Sequence, residues 1–174
     1  MLYIKILGSF LIVFSTSIIG YYYGMQFSHR LNNLIYMEQC IKILETEIVY
    51  GAILLPEALS NVYNKGNKKV SFIFKEIKEQ LLEDKKGDVY SSFIKVSNKL
   101  KNDLHFKKED VEIFLSLGRV LGSSDRKDQE KNFQLILKQI SFLEKDARLE
   151  KQKNEKMFKS LGVLTGLVII IILL

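Results

Sequence analysis

The sequence predicts an all-α fold, a cytoplasmic helical bundle flanked by N-terminal and C-terminal transmembrane helices. Three observations predict it. The 174 residues include one proline, ten glycines and no tryptophan. Proline removes a backbone donor and breaks helix interiors, so its near absence favours long helices over turn-rich β structure. Two long uncharged stretches lie near the ends of the chain. Between them, apolar residues recur every three or four positions, the period of one helix face. The length suits one modest domain with appendages. The expected division is an anchor over 1–28, a six-helix domain over 29–157 ending in a long helix, and an anchor over 158–174.

From Ile6 to Ser28 no residue is charged. Those 23 residues would extend about 35 Å as a helix, enough to cross a hydrocarbon layer of about 30 Å. Tyr21, Tyr22 and Tyr23 lie near one end, where amphipathic rings favour the headgroup zone. A cleaved signal peptide is the competing reading. Against it, the apolar run is long and no Ala-x-Ala site follows, the first alanine being Ala52.

The second apolar segment runs from Ser160 to Leu174 and supplies only about 22 Å of helix. Lys156 and Lys159 can snorkel, so that their stems, with Met157 and Phe158, lengthen the apolar surface. A buried soluble helix is the alternative, but so apolar a sequence would need protein on every side. Both anchors carry glycines four apart, Gly20 and Gly24 in one and Gly162 and Gly166 in the other. In lipid such a strip lets two helices approach closely. It would pair the anchors with each other or with another subunit, as in a homo-oligomer, though the spacing also occurs in helices without a partner.

Cations set the orientation. Arg30 and Lys42 flank the interior side of the first anchor, and Lys145, Arg148, Lys151, Lys153, Lys156 and Lys159 flank the second. The outer side has only Lys5 and the terminal amine. The positive-inside rule therefore places 29–159 in the cytoplasm.

In the middle of the chain, Leu34, Met37, Ile41, Leu44 and Ile48 form one stripe on a helix continuing from the first anchor. Gly51 is placed to end that helix in the left-handed conformation. Pro56 suits the first turn of the next, with Glu57 complementing the dipole and Ala58, Leu59 and Val62 inward. The expectation for 47–59 is a sharp helical corner. A third helix carries Val70, Ile73, Phe74, Ile77 and Leu81 inward. Lys85 to Asp88 form a loop, and Asp88 caps a fourth helix burying Val89, Phe93, Val96 and Leu100. The fifth begins near Lys108 and buries Val111, Phe114, Leu117 and Leu121, with Gly118 and Gly122 closing it. Ser124 or Asp125 would cap the last helix, whose stripe is Phe133, Ile136, Ile140, Leu143 and Ala147. That helix should continue into the second anchor, supported by the i,i+4 pairs Glu144–Arg148 and Glu155–Lys159.

The net charge is +6 and the pI about 9.2. Lys and Glu interleave along the middle as solvated helix faces do. The largest basic excess abuts the second anchor, which points to anionic membrane lipids rather than nucleic acid. The search for chemistry is mostly negative. Catalysis needs convergent groups, and no G-x-S-x-G, H-E-x-x-H, Walker A or G-x-G-x-x-G pattern occurs. Cys40 sits on or beside an apolar stripe, where an inert buried thiol is expected. His29 and His105 lack ligand spacing, His29 reading as interfacial and His105 as a solvated loop residue before a helix. Glu45 and Glu47, like Asp125 and Asp128, read as caps and solvated charges. The expectation is a protein without enzymatic activity, cofactor or metal.

One resemblance adds to these readings. Glu47, Tyr50, Gly51, Leu55, Pro56, Glu57, Ala58 and Leu59 in the corner carry it. So do Leu121, Gly122, Ser124, Asp125 and Gln129, and Ser160, Leu161, Gly162 and Gly166 at the tail. In this order, with these termini, they resemble the stage III sporulation protein AB family of endospore-forming bacteria. That family also looks like the cytoplasmic domains of type II secretion F and pilus platform proteins. The resemblance implies a membrane platform in a channel complex between mother cell and forespore, on the mother-cell membrane facing the forespore. Its partners would be other sporulation channel proteins, including a secretion-type ATPase. Glu47, Gly51, Pro56, Glu57, Leu59, Gly122, Asp125 and Gln129 would be the structural or interface motif. Gly51, Pro56, Gly122 and Asp125 also serve any bundle that turns corners. Exposure of Glu57 or Gln129 would favour binding. Ile53-Leu54 departs from the family's more polar or proline-bearing approach to Leu55-Pro56. The same layout also fits a membrane-anchored sensor or signalling adaptor.

Overall fold

A computed structural model describes the backbone of residues 2–83, 88–123 and 126–173, and the side chains of 7–83, 88–121 and 128–173. The chain is all-α, with no strand among the described residues. The order is α1 (Leu2–Glu45), a π turn (Thr46–Tyr50), α2 (Leu55–Lys65), α3 (Lys68–Glu83), α4 (Val89–Asn102), α5 (Lys108–Ser123) and α6 (Arg126–Leu173). Two helices are long and apolar enough to cross a membrane, one near each end. The fold divides into two compact units, one made of Met1–Leu31 with Asp146–Leu174, the other of Asn32–Lys145. Residues 146–157 therefore group with the apolar arms.

The second unit is a bundle in which α2 packs on α3, α3 on α4 and α4 on α5. Short connections make sequence neighbours into spatial neighbours. Leu34, Met37, Ile41 and Leu44 from α1 are buried with Ala58, Leu59 and Val62 from α2 and Val70, Ile73, Phe74 and Ile77 from α3. Phe93 of α4 meets Phe114 of α5, and Leu100, Leu117, Phe133, Ile136 and Ile140 are buried too. Leu81, Val89, Leu121 and Leu143, expected inward, are half-buried at the rim. Asp88 caps α4 by accepting from the Tyr90 N–H at 3.4 Å, which satisfies one donor of the open first turn. The rest of the expected 85–88 loop, and the Ser124 and Asp125 cap of the last helix, lie outside the described residues.

Three expectations are corrected. Gly51 is not left-handed; its φ is −79°, and the left-handed residue is Ala52, with φ 51°. α1 ends in a π turn, where the Gly51 N–H donates to the Thr46 carbonyl at 2.9 Å. One extra residue per turn moves the apolar stripe on by one, so Val49 is buried and Ile48 only half-buried. Gly118 does not close α5, which continues to Ser123. It lies mid-helix because a Cβ there would come within 2.7 Å of the Phe93 ring. Phe93 fills that space and lies 4.9 Å from Phe114, centroid to centroid.

Candidate functional site

In the first unit α1 and α6 run antiparallel. Val13 and Thr16 lie against Gly166, Gly20 against Gly162, Gly24 against Glu155, and Arg30 against Glu150. At the glycines the helices touch backbone to backbone. A Cβ on Gly20 would lie 2.6 Å from the Phe158 carbonyl oxygen, and one on Gly162 2.7 Å from that of Thr16. With no side chain on either, the two backbones meet directly. Three hydroxyls in this stretch turn back on their own helices. Thr16 donates to the Ile12 carbonyl at 3.0 Å, Ser17 to Val13 at 2.6 Å and Thr165 to Leu161 at 2.9 Å. Apolar side chains cover the outside, among them Leu7, Phe10, Phe14, Ile18, Leu164, Val168 and Ile172, all exposed. Hydroxyls satisfied within their own helices, set among apolar side chains, are what hydrocarbon requires.

One end of the arms is polar and aromatic. Phe158 stacks between Tyr23 and Phe27, at 6.3 and 5.8 Å. The Lys159 ammonium lies 4.8 Å from the Tyr21 ring and 2.6 Å from Glu155. Further out, Arg30 Nη1 donates to Glu150 at 2.9 Å with its side chain only 7% exposed. Lysine–aromatic contacts and tyrosines are suited to a membrane–water boundary.

In the second unit Glu47, Gly51, Pro56, Glu57 and Leu59 of the motif lie at the corner between the π turn and α2. The π turn rotates Glu47 inward, and its side chain is 8% exposed. It accepts from Lys65 Nζ at 2.6 Å and from Asn61 Nδ2 at 2.7 Å, both on α2. The Lys65 hydrogen bond, then the Asn61 one, hold its pKa below the ordinary carboxylate value. Glu47 is therefore a buried tie across the corner, not the solvated charge that local pattern implied. Its carbonyl also accepts from the Ile53 N–H at 3.0 Å. Pro56 stands in the first turn of α2, Leu59 is fully buried and Leu54 is 77% exposed. Glu57 is exposed and Gln129 half-buried.

Beside Gln129, Glu130 accepts from the Tyr50 hydroxyl at 3.3 Å. Burial and the Glu130 charge raise the Glu45 pKa. Sequence periodicity missed Asn61, Lys65 and Glu130, which carry no local signal because their partners lie far off in the chain. Asp125 and the surroundings of Gly122 lie outside the described residues.

Other polar groups make ion pairs at the surface. In the cleft between α3 and α4, Lys99 contacts Glu76 at 2.6 Å, and that bond raises the Lys99 pKa. Cys40 is fully buried, and burial pushes its thiol up to about 12, too high to form a thiolate at neutral pH. His29 is exposed, and His105 stands half-buried in the α4–α5 loop with φ 58°. No group of three His, Cys, Asp or Glu side chains among the described residues is arranged to hold a metal ion.

Comparison with known proteins covers both units. The family model described as stage III sporulation protein AB matches residues 5–174. A curated protein named stage III sporulation protein AB, from Bacillus subtilis (strain 168), is 33% identical over 172 residues, 98% of this chain and 99% of that one. A solved structure titled stage III sporulation protein AB (SpoIIIAB) superposes with a TM-score of 0.65 at 25% identity, covering 72% of this chain and 98% of that chain.

Proposed function

We propose, because this chain belongs to the stage III sporulation protein AB family, that it acts in stage III of sporulation as a non-enzymatic membrane platform. It would serve a secretion-like channel complex between mother cell and forespore. The observation that carries this reading is the match over residues 5–174, which takes in both apolar arms as well as the bundle. The arms supply the anchor. The polar groups of the bundle lock helix corners, as Glu47 does with Lys65 and Asn61, instead of meeting around a reacting atom.

By its cationic flanks, residues 29–159 face the cytoplasm of the mother cell. There the corner offers Tyr50, Leu54 and Glu57, all exposed, to a cytoplasmic partner such as a secretion-type ATPase. A fold related to type II secretion F proteins would account for that role.

Deletion in the source organism tests the reading. Growth should be normal and spore maturation arrested, with rescue by the full-length chain. Full-length protein purified from sporulating cells should bring down a secretion-type ATPase. Normal spores from the deletion strain would refute the role. Recovery of a kinase or regulator in place of an ATPase would refute the platform and favour a signalling adaptor.

A further inference from the structure

The way the arms pair has a consequence for the lipid. Read alone, α1 offers 23 uncharged residues from Ile6 to Ser28, a span of about 35 Å. Read with its partner, it offers less. Gly24 lies against Glu155 and Lys159, and Phe27 against Phe158. The antiparallel order therefore sets residues 22–28 level with the stretch of α6 holding Lys153, Glu155, Lys156 and Lys159. If hydrocarbon reached Ser28, those four charges would be inside it, and charged side chains there are strongly disfavoured. The boundary must lie near Tyr21–Tyr23, where Lys159 meets the Tyr21 ring at 4.8 Å. Towards the other end, Gly166 meets Val13 and Thr16. Seven residues further on, Leu173 comes level with α1 near residues 6–9, just before the charge of Lys5.

We propose that the paired arms present lipid with an apolar belt of only about 24 Å, from Ile6 to Tyr21 on α1. The hairpin thereby fits, or locally draws in, a bilayer thinner than the usual core of about 30 Å. The occupant of this surface is acyl chain. The glycine strip is used up between the two arms, and the outward residues such as Leu7, Phe10, Phe14 and Ile18 are large and apolar. Residues 22–31 of α1 then belong to a water-side extension of the hairpin, fastened by Arg30 and Glu150. This inference rests on the membrane-anchored reading above.

Two measurements on the full-length chain test it. In a Cys40→Ala background, Phe14→Cys, Ile18→Cys, Met25→Cys and Gln26→Cys are exposed one at a time to a charged maleimide in permeabilised proteoliposomes. A thiol in hydrocarbon does not ionise and does not react. Met25→Cys and Gln26→Cys should label at least about tenfold faster than the other two. Slow labelling of all four would overturn the short belt while leaving the anchor intact. In phosphatidylcholine vesicles of increasing acyl length, the fraction resisting alkaline carbonate should be greatest with myristoleoyl or palmitoleoyl chains. It should fall roughly twofold or more with erucoyl chains. An optimum at oleoyl or longer would overturn the fit to thin bilayers. Release by carbonate from every vesicle would overturn the anchor itself.

Discussion

Gly20 and Gly162 stand backbone against backbone. A Cβ on Gly20 would lie 2.7 Å from the Gly162 Cα, and one on Gly162 would lie 2.9 Å from the Gly20 Cα. At that separation the two helices gain dispersion contacts along the strip, and any larger residue must push them apart.

Gly20→Leu or Gly162→Leu should therefore destabilise the hairpin by about 1–3 kcal/mol. Apart from its own helix backbone, Gly8 has no neighbour within 4 Å of the Cβ position among the described residues. Gly8→Leu should change stability by no more than about 0.5 kcal/mol. Reversible unfolding in mild detergent micelles measures the difference.

The buried Glu47 predicts a pH dependence. Its pKa is lowered in the folded state from the ordinary 4.5, so between the two values the unfolded chain binds more protons. Stability then rises with pH through that window. The contribution of Glu47 is complete above about pH 4.5 and is lost as pH falls through the folded value. Glu47→Gln should flatten this acid limb, and Lys65→Met should weaken it. Thermal unfolding across the acid range, followed by circular dichroism, reads both effects.

At the corner, residues 51 and 52 should respond in opposite directions. Ala52 holds a left-handed φ of 51°, which costs a non-glycine residue about 1–2 kcal/mol. After the extra chain entropy of glycine is subtracted, Ala52→Gly should stabilise by about 0.5–1 kcal/mol. Gly51 has an ordinary φ of −79°, but a Cβ there would lie 2.7 Å from the Glu47 carbonyl oxygen. Gly51→Ala should destabilise. Urea midpoints at constant m-value decide both signs.

Gly118 and Phe93 should be energetically coupled. Gly118→Ala drives a methyl group into the Phe93 ring and should cost about 1–3 kcal/mol. Phe93→Leu also destabilises, by leaving space beside Phe114. The double variant should be more stable than the sum of the two losses implies, because the smaller side chain makes room for the methyl. A double-mutant cycle on unfolding free energies gives the coupling.

Signals confined to one helical turn are legible in sequence, and contacts between distant segments are not. Pro56 and Asp88 announce helix starts because their effects are confined to one turn, and both stand where the pattern puts them. The stripes on α2 and α3 are equally plain. Val49 could not be chosen over Ile48 from spacing, since one π turn shifts the count. Glu47 looked like a solvated carboxylate because Asn61 and Lys65 are 14 and 18 residues away.

From the sequence by itself came the all-α class, two apolar arms and an interleaved charge pattern, together with the residues that resemble one family. Each of these follows from composition or from a period of three to four residues, which local backbone geometry reads directly. Tertiary structure decided which glycines serve close packing and which residue takes the left-handed turn. It also decided that Glu47 is buried and how far α1 can enter lipid once α6 lies beside it. Those outcomes depend on which surfaces meet. Helices separated by more than a hundred residues, as Gly20 and Gly162 are, leave no trace of their meeting in the local pattern of either.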